Sequence, residues 1–83
     1  MSITNIRAAV IKALDGKASV GKVTMGYERQ VNDGKKVDMQ KVNIEFISPA
    51  GEPYPSHVLV PPGDDLGAAA VNLANFYIRY LEA

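Results

Sequence analysis

A chain of 83 residues, 47% hydrophobic and 22% charged, suffices for one domain spanning 1–83 and excludes a disordered or collagen-like polymer. The absence of Cys removes disulfides, thiolate catalysis and Cys-ligated zinc together, and points to a reducing cytoplasm. Nine Lys and Arg balance nine Asp and Glu, so the net charge is +0 and no overall field draws the chain to nucleic acid or an acidic membrane.

Ile3, Ile6, Val10 and Leu14 recur at helical spacing after Ser2, a good N-terminal cap, and Gly16 supplies a C-terminal stop, so the spacing predicts a short amphipathic helix. Arg7 and Lys12 interrupt its apolar character, which argues against a signal peptide. No stretch approaches the roughly 18 apolar residues of a membrane span.

From Val20 the period changes to two. Val23, Met25 and Tyr27 alternate with Lys22, Thr24, Gly26 and Glu28, and a second alternating run, Val42, Ile44 and Phe46, lies beyond Asn32-Asp33-Gly34. Asp-Gly is a strong hairpin signal because a two-residue type I′ turn needs positive φ at both central positions. With Asp33 and Gly34 as the loop, Asn32 faces Lys35, Arg29 faces Asp38, Met25 faces Val42, Thr24 faces Asn43, Val23 faces Ile44 and Lys22 faces Glu45. A slip of one residue would bury polar groups without partners.

Arms of roughly a dozen residues make a ribbon on the order of 40 Å long, against about 18 Å for the first helix. The outer half is therefore expected to overhang the core. Val37 and Met39 fall there on the face opposite Met25 and Val42, beside Glu28 and Gln30, and are expected to be exposed. With Arg29, Lys35, Lys36 and Lys41 around them, they form the candidate protein-binding site.

Ser48-Pro49-Ala50-Gly51 suits a type I turn. Tyr54 to Val60 reads as a third strand, and Pro53, Pro55 and Pro61 confine it to a sheet edge because proline cannot donate to a ladder. Asp64, after Pro61-Pro62-Gly63, caps a final helix whose core stripe runs Leu66, Ala70, Leu73, Tyr77 and Tyr80. A second stripe, Ala68, Val71 and Ile78, is broken by Asn75 and is expected to meet the first helix in part. The fold class expected is α+β: helix, three-stranded antiparallel meander with a long first hairpin, and C-terminal helix, with both helices on one sheet face. The first strand is then an edge without proline to guard it.

Catalytic, cofactor-binding and metal-ligating residues are not indicated. Ser56 and His57 are neighbours in a strand and point to opposite faces. Asp64 and Asp65 sit where a helix dipole favours negative charge, which explains them as caps better than as magnesium ligands. Gly63 and Gly67 lack the spacing and the Lys of a phosphate loop. Tyr54, Phe76, Tyr77 and Tyr80 could form a stacking platform, but Tyr77 and Tyr80 share the core stripe, so packing with hydroxyls at the rim is expected.

The element order resembles that of the double-stranded-RNA-binding domain over nearly the whole chain, and Ala68-Ala69-Ala70 is similar to the Ala-rich part of that family's second helix. Membership would imply phosphate contacts from a Lys-rich cluster at the start of that helix. Here the matching stretch is Gly63-Asp64-Asp65-Leu66-Gly67, acidic where the family is basic, which argues against nucleic acid as a partner.

The neutral total conceals an asymmetry: residues 1–41 carry eight basic and four acidic side chains, a net +4, and residues 42–83 one basic and five acidic, a net −4. Such a molecule can pair head to tail with itself or with a partner of either sign. The function expected is a small non-enzymatic protein-interaction module, an adaptor or inhibitor resembling those of phages and mobile elements, that binds another protein through its projecting hairpin or free strand edge. A homodimer through the first strand or the second stripe of the last helix is a further expectation. The alternatives are a nucleic-acid binder and an oligomeric protein that sequesters a small ligand such as a nucleotide.

Overall fold

The computed structural model describes residues 2–83 and contains α1 (Ile3–Leu14), β1 (Ser19–Asn32), β2 (Lys35–Ile47), β3 (Pro53–Val60) and α2 (Leu66–Glu82). The three strands form one antiparallel sheet in the order β1-β2-β3, so β1 and β3 are its edges. Both helices cover the same face, as the α+β reading expects, and the molecule measures 44 × 24 × 17 Å.

Local chemistry sets each boundary. Ser2 caps α1, its Oγ accepting from the Asn5 N–H at 3.1 Å, and Asp15 and Gly16 end the helix with φ of 51° and 74°. The cap of α2 is Asp65, one residue later than the spacing suggested; its carboxylate accepts from the Ala68 N–H at 3.1 Å. The Gly51 N–H donates to the Ser48 carbonyl at 2.8 Å, closing the expected four-residue turn between β2 and β3.

The first hairpin turns at Asp33 and Gly34, with φ of 51° and 76° as a type I′ loop requires. From Asn32↔Lys35 to Val23↔Ile44 the pairing follows the register derived from the sequence. Below Val23 it departs. Val20 pairs with Phe46, so β1 advances three residues while β2 advances two. This β-bulge absorbs Gly21 and Lys22 and removes the expected Lys22–Glu45 pair. Only glycine fits within it at position 21, where the Glu45 carboxylate occupies the space a Cβ would need.

The core lies between the sheet and the helices. Ile6, Val10 and Leu14 from α1 meet Val23, Val42, Ile44 and Phe46 from the sheet, and α2 adds Leu66, Ala70, Ala74 and Tyr77. The Tyr77 ring stacks on Phe46, centroids 4.6 Å apart and planes 11° from parallel. Each large apolar side chain so buried contributes about 1.5–3 kcal/mol. Small residues at Gly67, Ala70 and Ala74 let α2 lie close to its neighbours, which is why the buried stripe includes Ala74 while Tyr80, assigned to the core by periodicity, is 61% exposed. Beyond Gln40, β2 has no partner in β3, and Gln40 marks the limit of the body by donating to the Pro61 and Asp64 carbonyls at 3.0 and 3.1 Å. Residues 28–39 continue as a two-stranded ribbon.

Because Gly34 holds a left-handed conformation that costs an L side chain about 1–2 kcal/mol, Gly34→Ala is expected to lower unfolding free energy by about that amount without changing the fold. A denaturant midpoint unchanged by the substitution would show that the turn does not hold the register.

Candidate functional site

The ribbon and the free edge of β1 together make the most site-like region of the molecule. A two-residue loop closes its ladder with the hydrogen-bonded pair Asn32↔Lys35, so even-numbered residues of β1 direct their main-chain groups toward β2. Met25, Tyr27, Arg29 and Val31 direct theirs away from the sheet. Among the described residues nothing else pairs with this side of β1 above the bulge.

Below it the edge is closed. The bulge turns two successive carbonyls outward, and the Arg7 guanidinium donates to both, to Gly21 at 2.7 Å and to Val20 at 3.2 Å. Charge-assisted bonds of this kind are about twice as strong as neutral ones. Arg7 thus ties α1 to the start of β1 and blocks strand pairing there.

The residues singled out in the sequence lie on two faces. On the outer face Val37 stands opposite Gln30 and Met39 opposite Glu28, and both are half-buried rather than open. Beside them lies a small polar cluster: Lys41 pairs with Glu28 at 3.4 Å, and the Gln30 amide donates to the other Glu28 oxygen at 3.5 Å. Lys35 shares this face at the tip and is exposed. Arg29 and Lys36 are exposed on the helix-bearing face, where Arg29 bonds Asp38 at 3.0 Å. The six therefore do not converge on one patch.

The open apolar groups of the ribbon are instead Tyr27 and Val31, 78% and 66% exposed on the helix-bearing face. Both continue the alternation of Val23 and Met25, which carries side chains toward the helices, past the point where the helices cover it. The signal was present in the length mismatch, since a helix too short to cover the hairpin leaves its core-side alternation uncovered as well as its outer one. On α1, Ile3 and Ile11 lie one turn either side of Arg7, hence on the flank that overhangs the β1 edge, and both are exposed.

The other grooves carry less chemistry. One of about 280 Å³ crosses the outer sheet face between Lys22, Asn43, Glu45 and His57. His57 is exposed on β3, one residue from Ser56 and on the other face. A second, of about 360 Å³, lies at the end remote from the ribbon, beside Tyr54, Tyr77 and Tyr80. These rings pack on one another at 5.2–6.3 Å, leaving no slot for a guest between them. Contrary to expectation the Tyr77 hydroxyl does not reach the rim: it is buried with no hydrogen-bond partner among the described residues. Burial pushes its pKa above the ordinary value, and Tyr80, Glu52 and Tyr54 act in the same direction. Among the described residues no three His, Asp or Glu side chains gather as a metal site would need, and no helix is long and apolar enough to cross a membrane. The start of α2 presents Asp64 and Asp65, with no basic cluster.

Comparison of the chain with protein-family models, with curated proteins and with solved structures finds no match.

Tyr77→Phe removes an unsatisfied buried hydroxyl and is expected to raise stability by about 1 kcal/mol at neutral pH. The unfolded chain ionises Tyr77 near pH 10 while the folded chain holds the proton, so wild-type stability falls as pH rises past 10. The Phe variant should lose less over that range, as denaturant titrations at pH 9 and 11 would show.

Proposed function

We propose that the chain is a small non-enzymatic protein-interaction module that binds by strand addition along β1, with the side chains of the ribbon as anchors. One observation carries this reading: four successive outward-facing residues of β1, Met25 to Val31, have main-chain groups unpaired among the described residues, and two of them, Tyr27 and Val31, add large exposed apolar side chains. Main-chain ladders give such contacts affinity, and alternate side chains give them specificity. An unguarded strand is an aggregation hazard, and this one has a long usable stretch ended by a specific stopper, Arg7. The acidic start of α2 weighs against nucleic acid, whose binding rests on phosphate contacts.

Tyr27→Pro provides the test. The Tyr27 N–H faces away from β2, so proline there spares the β1–β2 ladder and deletes a donor from the free edge. Capture of a partner from the native host by wild-type protein, lost with Tyr27→Pro and retained with the half-buried outer-face pair Val37→Ser and Met39→Ser, is the expected outcome. Undiminished capture by a folded Tyr27→Pro protein would refute strand addition at this edge.

A further inference from the structure

Resting on that reading, we infer that the strand β1 receives is the β1 of a second copy, antiparallel, with Tyr27 facing Tyr27 across a two-fold axis. The free edge is self-complementary in one register. Outward-facing groups must meet outward-facing groups, so odd-numbered residues pair with odd-numbered ones and the alternatives differ by slides of two. Centring on Tyr27 places Met25 opposite Arg29, Val23 opposite Val31, Gly26 opposite Glu28 and Thr24 opposite Gln30. No like charges meet, and Gly26 offers open space to the Glu28 that faces it.

The neighbouring registers fail for different reasons. A slide toward the tips sets Glu28 against Glu28, and a further one sets Arg29 against Arg29. A slide toward the base drives Val31 and Asn32 onto Gly21 and Val20, whose carbonyls Arg7 already holds. The Tyr27 register uses residues 23–31 from end to end, about 31 Å of strand, and stops where the bulge stops the edge. It forms up to about ten main-chain hydrogen bonds.

The exposed apolar groups fit the same arrangement. Of the seven large hydrophobic residues that stand exposed among the described residues, Ile3, Ile11, Tyr27 and Val31 border this edge on the helix-bearing face. Pairing covers Tyr27 with its own symmetry mate. It also carries each Val31 to the partner's Val23, beside the α1 flank that bears Ile3 and Ile11. The product is a six-stranded sheet with four helices on one face, in which each ribbon lies along the other molecule's body. An isologous contact of this kind closes on itself and leaves the two proline-bearing β3 strands outermost.

Sedimentation over micromolar to several hundred micromolar protein, with single-cysteine variants of this Cys-free chain, tests the inference. Wild type is expected to dimerise, and Tyr27→Lys, which sets two like charges at the axis, to weaken the dimer about tenfold or more. Tyr27→Cys should form a disulfide-linked dimer on mild oxidation, since paired Cα atoms lie about 5.5 Å apart. Val31→Cys, similarly exposed but roughly 27 Å from its symmetry mate, should not. Wild type that stays monomeric at the highest concentration overturns the second copy as partner and leaves strand addition to be judged by host capture. Dimers undiminished by Tyr27→Lys, or Val31→Cys cross-linking as readily as Tyr27→Cys, overturn this interface.

Discussion

The direction of every side chain in the ribbon depends on two residues held at positive φ. Asp33 and Gly34 make a turn that admits one register, and that register decides which side chains of β1 join Val42, Ile44 and Phe46 beneath the helices. It also decides which main-chain groups are satisfied. A loop that closed one residue earlier on β1, at Val31, would exchange the inward and outward sets of that strand and hide the groups that now line the edge.

The second determinant is a mismatch of lengths. β1 and β2 have 14 and 13 residues, whereas β3 has 8 and α1 has 12 at a much shorter rise per residue. The body consumes the lower part of the hairpin and leaves the rest with a partner on one side only. Alternation does not stop where cover stops, so Tyr27 and Val31 carry core-type side chains into solvent. Val37 and Met39 are half-buried on the other face, where they stand opposite Gln30 and Glu28 and beside the polar links of Glu28 with Gln30 and Lys41.

The element order, the turn, the upper register and the proline-guarded strand were legible in the sequence because each rests on local chemistry. Periodicity separates helix from strand, Asp-Gly demands one loop geometry, and proline lacks a donor. The bulge was not legible. It brings Gly21 against Glu45, a contact across the sheet that no local pattern encodes. The role of Arg7 was hidden for the same reason, since its acceptors are backbone carbonyls 13 and 14 residues away. The candidate site was half legible: the overhang was foreseen, and the face on which its apolar groups stand open was assigned to the wrong side. The Tyr77 hydroxyl escaped because a helical stripe fixes the direction of a side chain and not the depth to which it is sunk.

The stacking of Tyr77 on Phe46 sets an order of events during synthesis. The hairpin is complete in sequence by residue 47, but the ring that seals Phe46 is not made until residue 77. At ribosomal speeds of about 5–20 residues per second the strands wait at least a second or so for their lid. Throughout that interval the nascent sheet shows the part of its apolar face that α1 leaves to α2, as well as its open margin. A cell making this protein has reason to shield it early, and nascent chains stalled before Tyr77 should be markedly richer in chaperone than those released after it.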